Sequence, residues 1–402
     1  MKKRFILVVL LFTALLFCST PAHADVNGPA LLSSTVMVAF PDSITFNVSA
    51  RSDVNITDIR LQYTVERKEE SRVVGESVLI FKPAPRVDTQ YVWDMKKTGG
   101  LPPGTGVDYW WLITDAAGKT FKSAPERLQA NDTRFAWNHI DSGNITLFWY
   151  RGDDVFAGKL MDAAKAALKQ LAASTGASPD KHISFYIYAN SADLQSSMIY
   201  PQDWTGGVTY TQYNVIAIGI APADLAWGKE TIAHELTHLV IHQITDNPYN
   251  SLPTWLDEGL AMYSQGPLDL QFTSVLSDAR RKDDYISVRS LASPFSAFTA
   301  SSLLAYAESR EVVNYLINTY GEAKMFDLLN VFRQGSGYDD ALKKVYGFDM
   351  DGLNAQWRAT LVPAVVYVFP PVLGGLLAGL GAAVVLILAL YAEEKTFRGQ
   401  AK

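Results

Sequence analysis

The chain has 402 residues, of which 48% are hydrophobic and 19% charged, enough for two ordinary domains with apolar segments besides. Its net charge of −6, with no Lys/Arg-rich run, argues against a nucleic-acid partner. The one cysteine, Cys18, falls in the N-terminal apolar segment. The rest of the chain therefore has no disulfide framework, thiol nucleophile or thiolate metal site, and any metal must be held by histidine and carboxylate.

At the N-terminus, Lys2, Lys3 and Arg4 precede the apolar run Phe5–Phe17, and Ala22-His23-Ala24 supplies a small-x-small cleavage pattern. This predicts a secretory signal peptide over residues 1–24, with Asp25 as the first mature residue. Residues 25–130 read as an all-β domain. Thr35–Phe40, Ile44–Ala50, Ile56–Thr64, Ser77–Lys82, Gln90–Trp93, Val107–Thr114 and Lys119–Lys122 are short runs rich in Val, Ile, Thr and aromatic residues. Turn signals separate them, among them Pro41-Asp42, Gly99-Gly100, Pro102-Pro103-Gly104 and Ala117-Gly118. About seven strands in about 100 residues is a β-sandwich pattern of the Ig/fibronectin III kind. The stretch Leu101–Tyr109 resembles the Pro-Gly-Thr turn and following Tyr strand of fibronectin type III domains, which implies a spacer or recognition module.

Residues 131–360 read as a second, α+β domain. Ile145–Tyr150, Ile183–Tyr188 and Val215–Ile220 are strands, and Val155–Ala173 is an amphipathic helix. Helices are expected at about 229–244, 253–264, 302–319, 322–334 and 350–360, with a loop over Ser287–Ser302. Beyond them no charged residue occurs between Arg358 and Glu393. Val372–Tyr391 gives 20 apolar residues, the length a bilayer core requires. One transmembrane helix over 372–391 and a cytoplasmic tail over 392–402 place the mature chain outside the cytoplasm as a single-pass protein of the cell membrane.

The residues that carry chemistry are His234-Glu235-Leu236-Thr237-His238, an HExxH motif. Ile232, Ala233, Leu236, Leu239, Val240 and Ile241 give it a buried helical face, and no Pro or Gly occurs between Lys229 and Thr245. Residues four apart on a helix stand one above the other, so both imidazoles reach one metal ion while Glu235 is turned beside its open coordination position. A third ligand is then needed. Glu258 lies one turn into the next expected helix, 20 residues after His238. Asp257 is the rival ligand, or a group that orients an imidazole from outside the metal's ligand set. His242 continues the i, i+4 series but lies two turns, about 12 Å, from His234, too far to share its ion.

HExxH followed by Trp255-Leu256-x-Glu258-Gly259-x-Ala261 resembles the gluzincin metallopeptidases, and most closely the bacterial peptidase MA-like group. The resemblance implies a zinc-dependent peptidase with His234, His238 and Glu258 as Zn2+ ligands and Glu235 as catalytic base. It also implies a downstream tyrosine that stabilises the oxyanion: Tyr306 is the candidate, with Tyr263 and Tyr315 as competitors. Related aminopeptidases carry a Gly-x-Met-Glu-Asn segment whose Glu holds the substrate's free amine. Trp204-Thr-Gly-Gly-Val208 occupies the comparable place and contains no acid, which leaves endo- and exopeptidase action open. Val215–Ile220 is a candidate edge strand for pairing with an extended peptide.

These readings predict a membrane-anchored, extracytoplasmic zinc peptidase acting on peptides or proteins. The alternative is a catalytically inactive zinc-binding surface protein whose β domain binds a partner. Glu235 separates the two, because a purely structural metal site has no use for a base beside an open position. The sequence does not set an oligomeric state.

Overall fold

The computed structural model describes residues 28–67, 73–202, 205–295 and 299–361. The expected signal peptide and transmembrane helix lie outside these residues. Among the described residues no helix is long and apolar enough to cross a membrane. The chain falls into two compact units, one ending at Asp246 and the other beginning at Asn247.

The first unit opens with a β-rich region of seven strands: β1 (Ala30–Ala39), β2 (Ser43–Val65), β3 (Gly75–Val78), β4 (Ala84–Asp94), β5 (Thr105–Asp115), β6 (Thr120–Lys122) and β7 (Glu126–Ala130). β2 is one strand of 23 residues where two separate strands were expected. Its first half pairs with β1 and β4, and its second half with β3 and β5. The register shifts around residues 51–58, where Arg51-Ser52-Asp53 reads locally as a turn. The strand continues there because a distant group satisfies its polar side chain: Ser52 donates a buried 2.8 Å hydrogen bond to Asp115 at the end of β5. Ile44, Phe46, Ile56, Ile59, Leu61, Trp111 and Ile113 alternate inward to form one core. β7, which pairs with the first half of β5, was not expected from its polar sequence Glu-Arg-Leu-Gln-Ala.

A second sheet follows in the same unit: β8 (Asn138–Ser142), β9 (Ile145–Trp149), β10 (Ile183–Tyr188), β11 (Gly207–Tyr210) and β12 (Val215–Gly219). Its order is β11-β12-β10-β9-β8, with the three central strands parallel and the two outer ones antiparallel to them. β12 is therefore an interior strand, which corrects the expectation that Val215–Ile220 forms an edge. An unbroken apolar run such as Val-Ile-Ala-Ile is buried on both faces, as parallel central strands are. The edge belongs to the short strand β11.

α1 (Asp154–Thr175) crosses from β9 to β10 and packs against α3 (Leu225–Thr245); the short α2 (Ser191–Gln195) follows β10. Asp153 caps α1 by accepting from the Phe156 amide at 2.8 Å, and Gly176 ends it in the left-handed region at φ 69°. α3 buries Ile232, Leu236, Leu239 and Val240, which leaves its histidines on the remaining, half-buried face.

The second unit is helical: α4 (Thr254–Gln265), α5 (Leu270–Lys282), α6 (Thr299–Tyr320), α7 (Glu322–Arg333), α8 (Tyr338–Tyr346) and α9 (Met350–Thr360). α5 and α8 were not expected. α5 carries Phe272, Val275, Leu276 and Ala279 at helical spacing but buries only Ala279 fully, and α8 has nine residues. The loop foreseen over Ser287–Ser302 gives way to α6 from Thr299. α4 packs on α6 with little room: a Cβ on Gly259 would stand 2.5 Å from the Ser309 carbonyl oxygen. On the preceding residue of α6, Glu308 is fully buried and accepts from the Ile286 amide at 3.0 and 3.3 Å. Burial pushes its carboxyl up to about 8, partly offset by the Ile286 amide and Arg358.

Two outcomes follow for stability. Gly259→Ala forces backbone to move at the α4–α6 contact and lowers stability by about 1–3 kcal/mol in denaturant unfolding. Glu308 is neutral in the folded chain and ionises in the unfolded one near the ordinary carboxylate value. Its contribution is complete at low pH and is lost as the pH rises from about 4.5 to about 8. Glu308→Gln, which keeps an acceptor without the charge, should remove that slope and make the variant the more stable form above pH ~8, by roughly 2–5 kcal/mol. Unfolding curves of both proteins across this pH range check it.

Candidate metal centre

α3 sets the first two ligands by its helical period. The Nε2 atoms of His234 and His238 stand 3.2 Å apart, with ring centroids at 4.8 Å. Nitrogens bound to one tetrahedral zinc at about 2.0–2.1 Å stand roughly 3.3–3.4 Å from each other, so this pair already has the separation of two ligands on one ion. Glu258, the carboxylate the motif pattern adds, lies on α4 of the second unit and is half-buried, as both histidines are. Two imidazoles and one carboxylate are a donor set that suits zinc and leaves a fourth position open.

His242 follows one turn after His238, with the two rings 6.2 Å apart, and lies two turns from His234. Asp257, the rival carboxylate, lies beside Glu258 on α4 of the second unit. All of these side chains are half-buried.

The Glu235 side chain lies against β11. Its Oε2 accepts from the Thr209 hydroxyl at 2.7 Å, and the same hydroxyl lies 3.1 Å from the Glu235 carbonyl oxygen. A Cβ on Gly207 would stand 2.8 Å from Glu235 Oε1. Neither Thr209 nor Gly207 was singled out in the sequence. The only local signal was the pair Gly206-Gly207, which marks a close approach of backbone to another group. Trp204, the start of the segment compared with the amine-binding motif, lies outside the described residues.

Tyr306 lies on α6, half-buried, with its ring edge-on to Phe295 at 5.1 Å. It is one turn before Ser309, which meets Gly259 of α4. Tyr315 stands edge-on to Tyr320 at 6.1 Å, and Tyr263 lies on α4 itself.

Residues 163–363 match the Peptidase MA superfamily, half of the chain and all of the motif region. The chain belongs to the peptidase MA superfamily. No curated protein matches it. Among solved structures, catalytically inactive OgpA of Akkermansia muciniphila, in complex with an O-glycopeptide substrate, is 11% identical over 28% of this chain and 32% of its own, with a TM-score of 0.20. Aminopeptidase A of Legionella pneumophila, in complex with aspartic acid, is 10% identical over 82% of this chain and 50% of its own, with a TM-score of 0.35. The chain thus spans half or less of the length of either protein.

Within this family the histidines and Glu258 are the ligand set to test. His234→Ala, His238→Ala and Glu258→Ala should each weaken zinc binding more than about a hundredfold in competition with a chromophoric chelator. His242→Ala should keep full stoichiometry. Loss of zinc from His242→Ala but not from His234→Ala would move the site to His238 and His242.

Proposed function

We propose that this chain is an extracytoplasmic, membrane-anchored zinc peptidase that hydrolyses peptide bonds of peptide or protein substrates. The 3.2 Å separation of the two imidazole nitrogens on the HExxH helix is the observation that supports it most directly. The basic, apolar and small-x-small pattern of residues 1–24 and the uncharged run over 372–391 support export and a single C-terminal anchor. On this reading residues 25–130 are a sandwich-type spacer or recognition domain and residues 131–360 the peptidase. The long strand β2, which exchanges partners halfway along its length, suits a two-layered arrangement.

His234, His238 and Glu258 would hold the zinc. When bound, the ion supplies Lewis-acid polarisation of the scissile carbonyl and lowers the pKa of a water at the open position. Glu235 takes the proton of the attacking water and passes it to the departing amine. Tyr306 is the candidate donor to the oxyanion. β11 pairs with β12 on one side only among the described residues, so an extended substrate can add to its free edge beside Glu235.

The test is digestion of a diverse peptide pool by the full chain in detergent beside its Glu235→Ala variant. Cleavage should fall by about 10²–10⁴-fold in the variant, stop with a chelator and return with zinc. Equal cleavage by both proteins removes the base assignment. Absence of cleavage by a folded, zinc-loaded wild type replaces the peptidase with a zinc-binding surface protein whose partners are sought on the β domain.

A further inference from the structure

Glu235 is fixed from a part of the fold that the HExxH motif does not contain. Its carboxylate is flanked by residues 207 and 209, which project to the same face of β11 because strand side chains alternate. At 207 there is no side chain, and the room a methyl would take is filled by the carboxylate: the position a Cβ would occupy is 2.8 Å from Oε1, 3.2 Å from Cδ and 3.3 Å from Cγ. At 209 the side chain is a hydroxyl whose 2.7 Å bond fixes Oε2. Thr209 also reaches the Glu235 carbonyl oxygen, so it ties the strand to both the backbone and the side chain of this one residue of α3.

We infer that Thr209 is a positioning residue for Glu235, with Gly207 providing the space in which the held carboxylate lies; this rests on the peptidase reading above. A free glutamate on a helix samples several rotamers. A base that must meet a water beside the metal works at its full rate only in one of them. The Thr209 hydroxyl donates to Oε2 and leaves Oε1 to take the proton. Because Thr209 stands on the edge strand that an extended substrate would join, the same four-residue strand orients the base and borders the substrate. Threonine does this without adding charge: an acid here would repel the carboxylate and a lysine would pair with it.

Two measurements on the full chain test this. In peptide cleavage, Thr209→Val, which keeps the shape and removes the hydroxyl, should lower kcat about 10–50-fold with KM within about twofold and zinc content unchanged; Thr209→Ser should restore most of kcat. An unchanged kcat in Thr209→Val overturns the inference, as does an equal loss in both variants, which would mean packing alone. The second measurement needs no activity: local hydrogen exchange of the β11 amides in Thr209→Val, Glu235→Ala and the double variant. Each single change should speed exchange about tenfold, and the double variant should exchange no faster than Thr209→Val, because both remove the same bond. Multiplying effects in the double variant overturn the inference. If the wild type cuts nothing while the exchange effects fail to multiply, the peptidase reading falls and the hold of Thr209 on Glu235 stands, so the two failures are told apart.

Discussion

The 3.6-residue period of one helix governs the chemistry of this protein. Over α3 it does two things at once: it lines up Ile232, Leu236, Leu239 and Val240 for burial, and it lines up His234 and His238 so that their Nε2 atoms meet at 3.2 Å. Burial of the first set fixes the rotation of the helix about its axis. That rotation fixes where the second set points, and it turns Glu235 toward β11.

A rigid support is needed for such a helix, and the second sheet of the first unit supplies one. Its central strands β9, β10 and β12 are apolar almost throughout, as strands covered on both faces must be. The outer strands β8 and β11 are short, which limits the unpaired edge each presents. Four residues long and begun by glycine, β11 has little to bury, and the Thr209 hydroxyl ties it to the helix.

Much of this was legible in the sequence, and the pattern of what was not is physical. β10 was expected over Ile183–Tyr188 and is found there, because five of its six residues are β-branched or aromatic. α3, α4, α6, α7 and α9 carry apolar residues at helical spacing and were foreseen within a few residues at their ends. β7, β8, β11, α5 and α8 were not, since each is short, polar or glycine-containing and is held by its neighbours rather than by its own propensities. β12 was found but misplaced at an edge, because strand order is not written in a strand. β2 was cut in two because the partner of Ser52 is Asp115, 63 residues away.

The sequence by itself determined the family and the pairing of the two imidazoles. HExxH within an apolar helical face sets His234 and His238 one turn apart, a spacing that a helix translates directly into distance, whereas Glu258 is named by the resemblance that Trp-Leu-x-Glu-Gly-x-Ala carries. Tertiary structure decided what flanks them. That Thr209 holds Glu235, that Gly207 must lack a side chain and that β11 rather than β12 forms the edge all depend on contacts across 26 or more residues of chain or on the order of strands. Such contacts leave no periodic trace, because they arise where separately folded segments meet.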